Sequence, residues 1–131
     1  MRGGASIALA TTAALVCLVA GAALVSAKTV RGTPAGERLV GTVGADRILG
    51  RGGHDTLIGR RGGDLLVAGP GNDTIRAGKG FDEIRGGGGR ELIYARDHRP
   101  DTIDCGLGRE VVYVDYVEDG VQNCWRVIEP G

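Results

Sequence analysis

Aliphatic residues recur at intervals of nine along the middle of this chain, separated by glycine and polar positions. From Gly41 the sequence divides into six consecutive nonapeptides, whose eighth positions are Ile48, Leu57, Leu66, Ile75, Ile84 and Ile93. Neighbouring side chains of a strand point to opposite faces, so one inward aliphatic residue per nonapeptide indicates a short strand followed by a turn. A series of such units predicts a solenoid, in which each coil buries its aliphatic residues against the next coil.

Two further positions of the nonapeptide keep the same register. The fourth position is always glycine: Gly44, Gly53, Gly62, Gly71, Gly80 and Gly89. The sixth position is always acidic: Asp46, Asp55, Asp64, Asp73, Asp82 and Glu91. Glycine permits backbone conformations that other residues avoid, so this pattern predicts a tight turn that a carboxylate closes. Low-complexity sequence would not hold three positions in register without an insertion.

The pattern weakens on both sides of residues 41–94. Residues 32–40 keep an acidic and an aliphatic position, but Ala35 replaces the glycine. After Tyr94 the register slips by one residue, and the pattern returns around Gly108. Atypical end copies are expected because the terminal coils must close the stack. We therefore predict a degenerate capping repeat at residues 28–40, regular repeats at 41–94 and a C-terminal cap at 95–131.

Two nonapeptides per coil would place alternate copies on the same side and form two facing parallel sheets. The acidic positions would then form two columns, Asp46, Asp64 and Asp82 in one and Asp55, Asp73 and Glu91 in the other. Successive coils lie about 4.8 Å apart. Two carboxylates at that spacing repel by roughly 3 kcal/mol at an effective dielectric constant of about 20. A divalent cation would reverse this repulsion, and carboxylate and carbonyl oxygens form the irregular, all-oxygen shell that calcium accepts.

These nonapeptides resemble the RTX (haemolysin-type) calcium-binding repeat, GGxGxDxUx, in which U is a large aliphatic residue. The segments AGPGNDTIR and AGKGFDEIR lack only the first glycine of that consensus. The resemblance implies an all-β fold, a parallel β-roll, with Ca²⁺ bound between turns on the same side. It also implies that the ligand carboxylates are Asp46, Asp55, Asp64, Asp73 and Asp82. The second position departs from the consensus in the first three copies, which carry Thr42, Arg51 and Arg60.

A metal-free interpretation of the aspartates stays open. Their side chains would cap the turns by accepting hydrogen bonds from nearby backbone amides. Arginines such as Arg51 and Arg60 would then neutralise the carboxylates in place of a cation.

Composition limits the size and class of the protein. The chain has 131 residues, which is enough for one small domain, and its formal net charge of +0 gives no reason to expect a nucleic-acid partner. Its 25 glycines and few aromatic residues would by themselves favour disorder. The nine-residue periodicity argues against that interpretation.

Residues 1–27 have the layout of a cleaved secretory signal. A basic start at Arg2 precedes an apolar run over residues 5–25, and small residues stand just before Lys28. The alternative is a retained membrane anchor, since the run is long enough to cross a bilayer. With the signal removed, we expect a secreted or cell-surface protein without a membrane span. In an exported chain, the two remaining cysteines, Cys105 and Cys124, are expected to form a disulfide.

Nothing in the sequence predicts catalysis. The chain has no serine outside residues 1–27, and neither His54 nor His98 belongs to a recognisable general-base arrangement. The predicted function is therefore a secreted, non-catalytic, calcium-binding β-roll whose folding calcium stabilises. Two alternatives stay open, a metal-independent structural or adhesive solenoid of the cell surface and a β-helix enzyme that acts on polysaccharide. The sequence does not identify a biological partner, and a cell-surface or protein partner stays open beside the calcium ions.

Overall fold

The computed structural model describes residues 27–115 and 120–131 and contains two parallel β-sheets. The first sheet has the order β1 (Thr29–Arg31), β3 (Arg47–Leu49), β5 (Leu65–Gly71), β7 (Glu83–Gly89), β9 (Thr102–Gly108) and β11 (Gly120–Gln122). The second has the order β2 (Arg38–Val40), β4 (Thr56–Arg61), β6 (Thr74–Lys79), β8 (Leu92–Ala95), β10 (Val111–Val114) and β12 (Arg126–Ile128). The described residues include no apolar helix of membrane-spanning length. The proposed secretory signal, apart from Ala27, lies outside the described residues.

Each strand from β1 to β6 pairs in parallel with the strand that lies two nonapeptides further along the chain. Val30 is opposite Ile48, and Ile48 is opposite Leu66 in the next coil. In the second sheet Leu57 is opposite Ile75 in the same way. Odd-numbered and even-numbered strands therefore alternate between the two sheets, which confirms the predicted parallel β-roll with two nonapeptides per coil.

The core is a single layer of aliphatic side chains between the two sheets. The predicted inward position has no solvent exposure in any of the regular copies: Ile48, Leu57, Leu66, Ile75, Ile84 and Ile93 are all 0% exposed. The first position of each nonapeptide is also buried, and there the chain carries only glycine or alanine. Because these residues are small, the two sheets pack closely enough for one aliphatic residue per nonapeptide to fill the space.

The coils continue beyond the regular repeats. Glu83 pairs with Thr102 and Leu92 pairs with Val111, one residue further than the regular spacing. The turn between β8 and β9 accommodates the additional residue, so the two sheets keep their alignment. This confirms the predicted register slip after Tyr94. The predicted disulfide is also present, because Cys105 on β9 is bonded to Cys124 in the turn before β12.

Substitution of one inward and one outward isoleucine compares how much the two kinds of position contribute to the free energy of unfolding. We expect Ile75→Ala to lower the free energy of unfolding by about 2–5 kcal/mol, because this fully buried side chain would leave a cavity. Ile58→Ala makes the same chemical change on the half-buried outer face of β4 and should cost clearly less. Denaturant unfolding at saturating calcium measures both values. Equal losses would show that the core is not the single inward layer described above.

Candidate metal centre

The turns lie along two edges of the β-roll, and each turn that precedes β3 to β10 ends in a buried carboxylate immediately before the strand. The carboxylates before the odd-numbered strands form a first column, Asp46, Asp64, Asp82 and Asp101. Those before the even-numbered strands form a second column, Asp55, Asp73, Glu91 and Glu110. No residue of either column is more than 4% exposed. All five aspartates that the sequence predicts as ligands therefore lie in two buried columns.

The invariant glycine allows the turns to stack directly on one another. Gly71 has a φ of 138°, a conformation that residues with a side chain rarely adopt. A Cβ atom at Gly71 would also collide with the carbonyl oxygen of Gly53, the equivalent glycine one coil earlier. Gly80 has the same relation to Gly62. From Gly53 to Gly89 the fourth position is thus restricted to glycine by its contact with the preceding coil as well as by its own conformation.

One oxygen of each central aspartate connects successive coils. The backbone N–H of Asp46 donates to Oδ1 of Asp64 at 2.7 Å, and that of Asp64 donates to Oδ1 of Asp82 at 2.7 Å. In the second column the N–H of Asp55 donates to Oδ1 of Asp73 at 2.7 Å. The carboxylates therefore cap backbone amides, as the metal-free interpretation expects, but they do so with only one of their two oxygens.

The second oxygen of these aspartates is buried without a partner. Among the described residues, no hydrogen bond reaches Oδ2 of Asp55, Asp64, Asp73 or Asp82. In native proteins the large majority of buried polar atoms have a hydrogen-bond partner, and leaving one unsatisfied costs about 1–3 kcal/mol. Both carboxylate oxygens of Glu91 are in the same situation. Repeated unsatisfied carboxylate oxygens at equivalent positions fit a binding site for cations.

Asp46 differs from the other sequence-predicted ligands. Its carboxylate accepts hydrogen bonds from the backbone N–H and the hydroxyl of Thr42, and the N–H of Lys28 donates to its Oδ1 at 2.9 Å. Arg51 and Arg60 occupy the position equivalent to Thr42 in the next two copies, and both adopt the left-handed backbone conformation, with φ of 75° and 84°. Thr42 does not share this positive φ, and its hydroxyl closes the first turn instead. Neither oxygen of Asp46 is left over.

The pKa of Asp46 also shifts in the opposite direction from the pKa values of Asp64 and Glu91. Burial raises the pKa of Asp64 to about 7, and the charges of Asp82 and Asp46 add to the increase. Burial likewise raises the pKa of Glu91 to about 7, with contributions from Glu110 and Asp73. Burial also acts on Asp46, but hydrogen bonds from Thr42 and Lys28 outweigh it and lower the pKa of that carboxyl.

Burial is also the main reason why the pKa values of Asp73 and Asp82 are raised. In both groups a hydrogen bond from the backbone of the preceding coil acts in the opposite direction without offsetting burial. The central part of each column is therefore an unfavourable place for negative charge when no cation is near.

Backbone oxygens lie beside the unpartnered carboxylate oxygens. A Cβ atom added to Gly50 would lie 2.8 Å from Oδ2 of Asp55 and 2.5 Å from the carbonyl oxygen of Ala68, in the next coil. Gly59 is flanked in the same manner by Oδ2 of Asp64 and the carbonyl of Ala77. Nowhere in residues 27–115 and 120–131 do three acidic, histidine or cysteine side chains converge as a metal-binding group. A cation in these columns would therefore combine carboxylates with turn carbonyls, and this donor set fits calcium.

Comparison with known protein families agrees with this geometry. Residues 31–66 and 67–97 match the RTX calcium-binding nonapeptide repeat (4 copies). The chain therefore belongs to the family of RTX calcium-binding nonapeptide-repeat proteins. Comparisons with curated proteins and with solved structures gave no match.

The repeat pattern in the sequence does not identify one member of the first column. Asp101 occupies the position equivalent to Asp82, whose backbone N–H donates to Oδ1 of Asp101 at 2.9 Å. The residue inserted after Tyr94 hides this copy, because Asp101 no longer falls at a multiple of nine from Asp82. The spacing of Asp101 and the buried Ile103 is the usual Asp-x-Ile of the repeat, and this was the available signal.

The raised pKa values predict how pH changes the stability of the metal-free protein. Asp64 and Glu91 have ordinary pKa values of 3.8 and 4.5 and folded-state values of about 7, so between these limits the folded state binds more protons than the unfolded state. Stability should therefore fall as the pH rises from about 4 to about 7 and then level off. Thermal unfolding of metal-depleted protein at a series of pH values measures this effect. A Tm that stays constant or rises between pH 5 and pH 8 would contradict it.

Proposed function

We propose that this protein binds Ca²⁺ in its stacked turns and that the bound ions stabilise a secreted, non-catalytic β-roll. The unpartnered Oδ2 atoms of Asp55, Asp64, Asp73 and Asp82 are the observation that carries this proposal. These oxygens are buried, they recur at equivalent positions, and the pKa values of Asp64, Asp73 and Asp82 are raised. A bound dication supplies the positive charge that satisfies all of these groups at once.

Each proposed site lies between two successive turns on the same edge. Asp64 and Asp82 serve one site in the first column, and Asp55 and Asp73 serve one in the second. Asp101 extends the first column beyond Asp82. Turn carbonyls complete each ligand shell, which favours calcium, because magnesium requires a nearly ideal octahedral geometry.

Asp46, which the sequence also predicts as a ligand, has a different role in this proposal. Its oxygens already accept hydrogen bonds from Thr42 and Lys28, so it closes the first turn instead of binding an ion. The first turn thereby ends the column with a structure that holds together without metal.

Two observations support an extracellular location. The apolar run before Lys28 has the layout of a secretory signal. The Cys105–Cys124 disulfide forms and persists in oxidising compartments, which lie outside the cytosol. Extracellular calcium modules have dissociation constants of about 0.1–1 mM. Sites of that affinity would fill after export and would lock the β-roll in its folded form.

A metal-independent structural solenoid is the second candidate function. The hydrogen bonds to the Oδ1 atoms of Asp64, Asp73 and Asp82 favour it, since they connect the coils without any cation. The two candidates differ in the role of Oδ2, which has a ligand in the first and none in the second.

Calcium should raise the thermal stability of the protein by a large amount. If ligand binds only the folded state, one site at a calcium concentration of one hundred times Kd adds about 2.7 kcal/mol to the free energy of unfolding. Circular dichroism in chelator, in millimolar calcium and in millimolar magnesium measures the change, and magnesium should produce a much smaller one. A full strand signal in chelator with the same Tm in calcium would favour the metal-independent solenoid.

Two isosteric substitutions separate ion binding from turn capping. Asp73→Asn should weaken calcium binding by about tenfold or more, since it removes a charged ligand. The same change should not lower the Tm of the metal-free protein, because the pKa of Asp73 is raised and the charge is unfavourable there. Calorimetric titration and thermal unfolding measure the two effects.

Asp46→Asn is the matched control for this experiment. It should leave calcium affinity within about twofold and lower the Tm both with and without calcium, because it weakens charge-assisted hydrogen bonds from Thr42 and Lys28. If Asp73→Asn and Asp46→Asn gave the same pattern, the carboxylates would serve as turn caps alone.

A further inference from the structure

A row of stacked aromatic and arginine side chains lies on the outer face of the second sheet. The rings of Tyr94 and Tyr113 are parallel within 6°, with their centroids 5.1 Å apart. The guanidinium carbon of Arg76 lies 5.4 Å from the centroid of Tyr94, and that of Arg96 lies 5.1 Å from the centroid of Tyr113. The aromatic rings thus restrict two guanidinium groups to fixed positions, since cation–π contact holds each of them against a ring.

The two arginines of this row have no acidic partner among the described residues. Within residues 27–115 and 120–131, neither Arg76 nor Arg96 forms an ion pair. The outward positions of the second sheet contain no acidic residue in the described strands: Arg38, Thr56, Thr74, Leu92, Val111 and Arg126 form one row, and Val40, Ile58, Arg76, Tyr94, Tyr113 and Ile128 form the other.

A shallow groove extends this positive surface towards the turns. Arg76, Lys79, Tyr94 and Arg96 line it together with Asp97 and His98. The one carboxylate in that lining, Asp97, already accepts hydrogen bonds from the backbone N–H groups of Gly80 and Arg99. We refer to Arg76, Lys79, Tyr94, Arg96 and Tyr113 as the basic ladder.

The outer face of the first sheet has a different charge pattern. Glu83 and Asp104 lie on outward positions there, and Arg85 is paired with Glu83 at 2.6 Å. The outward strand positions of the first sheet therefore carry both signs of charge, whereas those described in the second sheet carry cations without acidic residues.

We propose that the basic ladder binds a linear polysaccharide that carries carboxylate groups. Guanidinium groups bind planar carboxylates through two parallel hydrogen bonds, and within the described residues neither guanidinium group of the ladder is engaged in an ion pair. The ladder runs across neighbouring coils, which lie about 4.8 Å apart, close to the length of one sugar unit in an extended chain. Arg76 and Lys79 belong to one coil and Arg96 to the next, so an extended polyanion that crosses these two coils meets cations on both, while the tyrosine hydroxyls face sugar hydroxyls.

The covered ring faces distinguish this ligand from nucleic acid. Single-stranded nucleic acids are bound by stacking of bases on exposed aromatic faces. Tyr94 lies between Arg76 and Tyr113 in successive coils, so both of its faces are covered. The ring of Tyr113 is stacked on Tyr94 and is also contacted by Arg96. The edges and hydroxyl groups of these rings are suited to a ligand that is rich in hydroxyls.

The test compares two triple variants with the same net charge. Arg76→Gln, Lys79→Gln and Arg96→Gln together remove the cations of the ladder, whereas Arg31→Gln, Arg47→Gln and Arg85→Gln remove three cations from the outer face of the first sheet. The probe is a hyaluronan decasaccharide, a linear polymer with carboxylates on alternate sugars. Binding is measured by calorimetry at saturating calcium, and the calcium affinity of both variants should equal that of the unsubstituted protein. That second measurement keeps this proposal separate from the proposal of calcium binding.

We expect the unsubstituted protein to bind the decasaccharide, with an affinity that falls as the salt concentration rises. The ladder variant should bind about tenfold or more weakly, the control variant should bind within about twofold, and the decasaccharide with its carboxylates reduced to alcohols should bind about tenfold more weakly. Equal losses in the two variants, or no binding of the decasaccharide, would overturn the proposal. Tighter binding of oligo(dT) or of phosphatidylglycerol vesicles than of the decasaccharide would overturn it as well.

Discussion

Like charges stacked one coil apart are the constraint on which the rest of this structure depends. A parallel β-roll with two identical turns per coil must repeat whatever closes its turns at each coil, and here that group is a carboxylate. The geometry that buries one aliphatic residue per nonapeptide also buries one acid per nonapeptide. The aliphatic core and the repulsion between stacked carboxylates therefore have the same origin, and each added coil extends both of them.

The two oxygens of each central aspartate have different contacts. Oδ1 connects a coil to the preceding coil through a backbone amide, while Oδ2 of Asp55, Asp64, Asp73 and Asp82 is buried without a hydrogen-bond partner among the described residues. Asp46 shows the other solution, in which a neighbouring threonine satisfies the carboxylate and lowers its pKa. One column thus contains a turn whose carboxylate is fully hydrogen-bonded and turns whose carboxylates keep an unpartnered oxygen, and Thr42 at the second position of the repeat makes the difference.

A solenoid with a thin core leaves most of its sequence free for its surfaces. The turn edges carry the proposed calcium sites, and the outer face of the second sheet carries the basic ladder, so the two proposed ligands occupy different sides of the same coils. Because every outward position repeats from coil to coil, a few arginines and tyrosines are enough to form a row. Calcium in the edges would keep the coils in register, and the spacing of that row depends on the register.

The sequence by itself determined the repeat length, the inward aliphatic positions, the turn glycines and the acidic positions, because each of these is set by contacts that recur every nine residues. The class of fold, a parallel β-roll, followed from the repeat and its resemblance to the RTX family, because two nonapeptides per coil place alternate copies on the same face. Tertiary structure decided what depends on the distance between coils. It decided which carboxylate oxygens lack a hydrogen-bond partner and that the hydroxyl of Thr42 donates to the carboxylate of Asp46. It also decided that Asp101 joins the first column across an insertion. The stacking of Tyr94 on Tyr113 was also invisible in the sequence, because these residues are neighbours only when successive coils lie in contact.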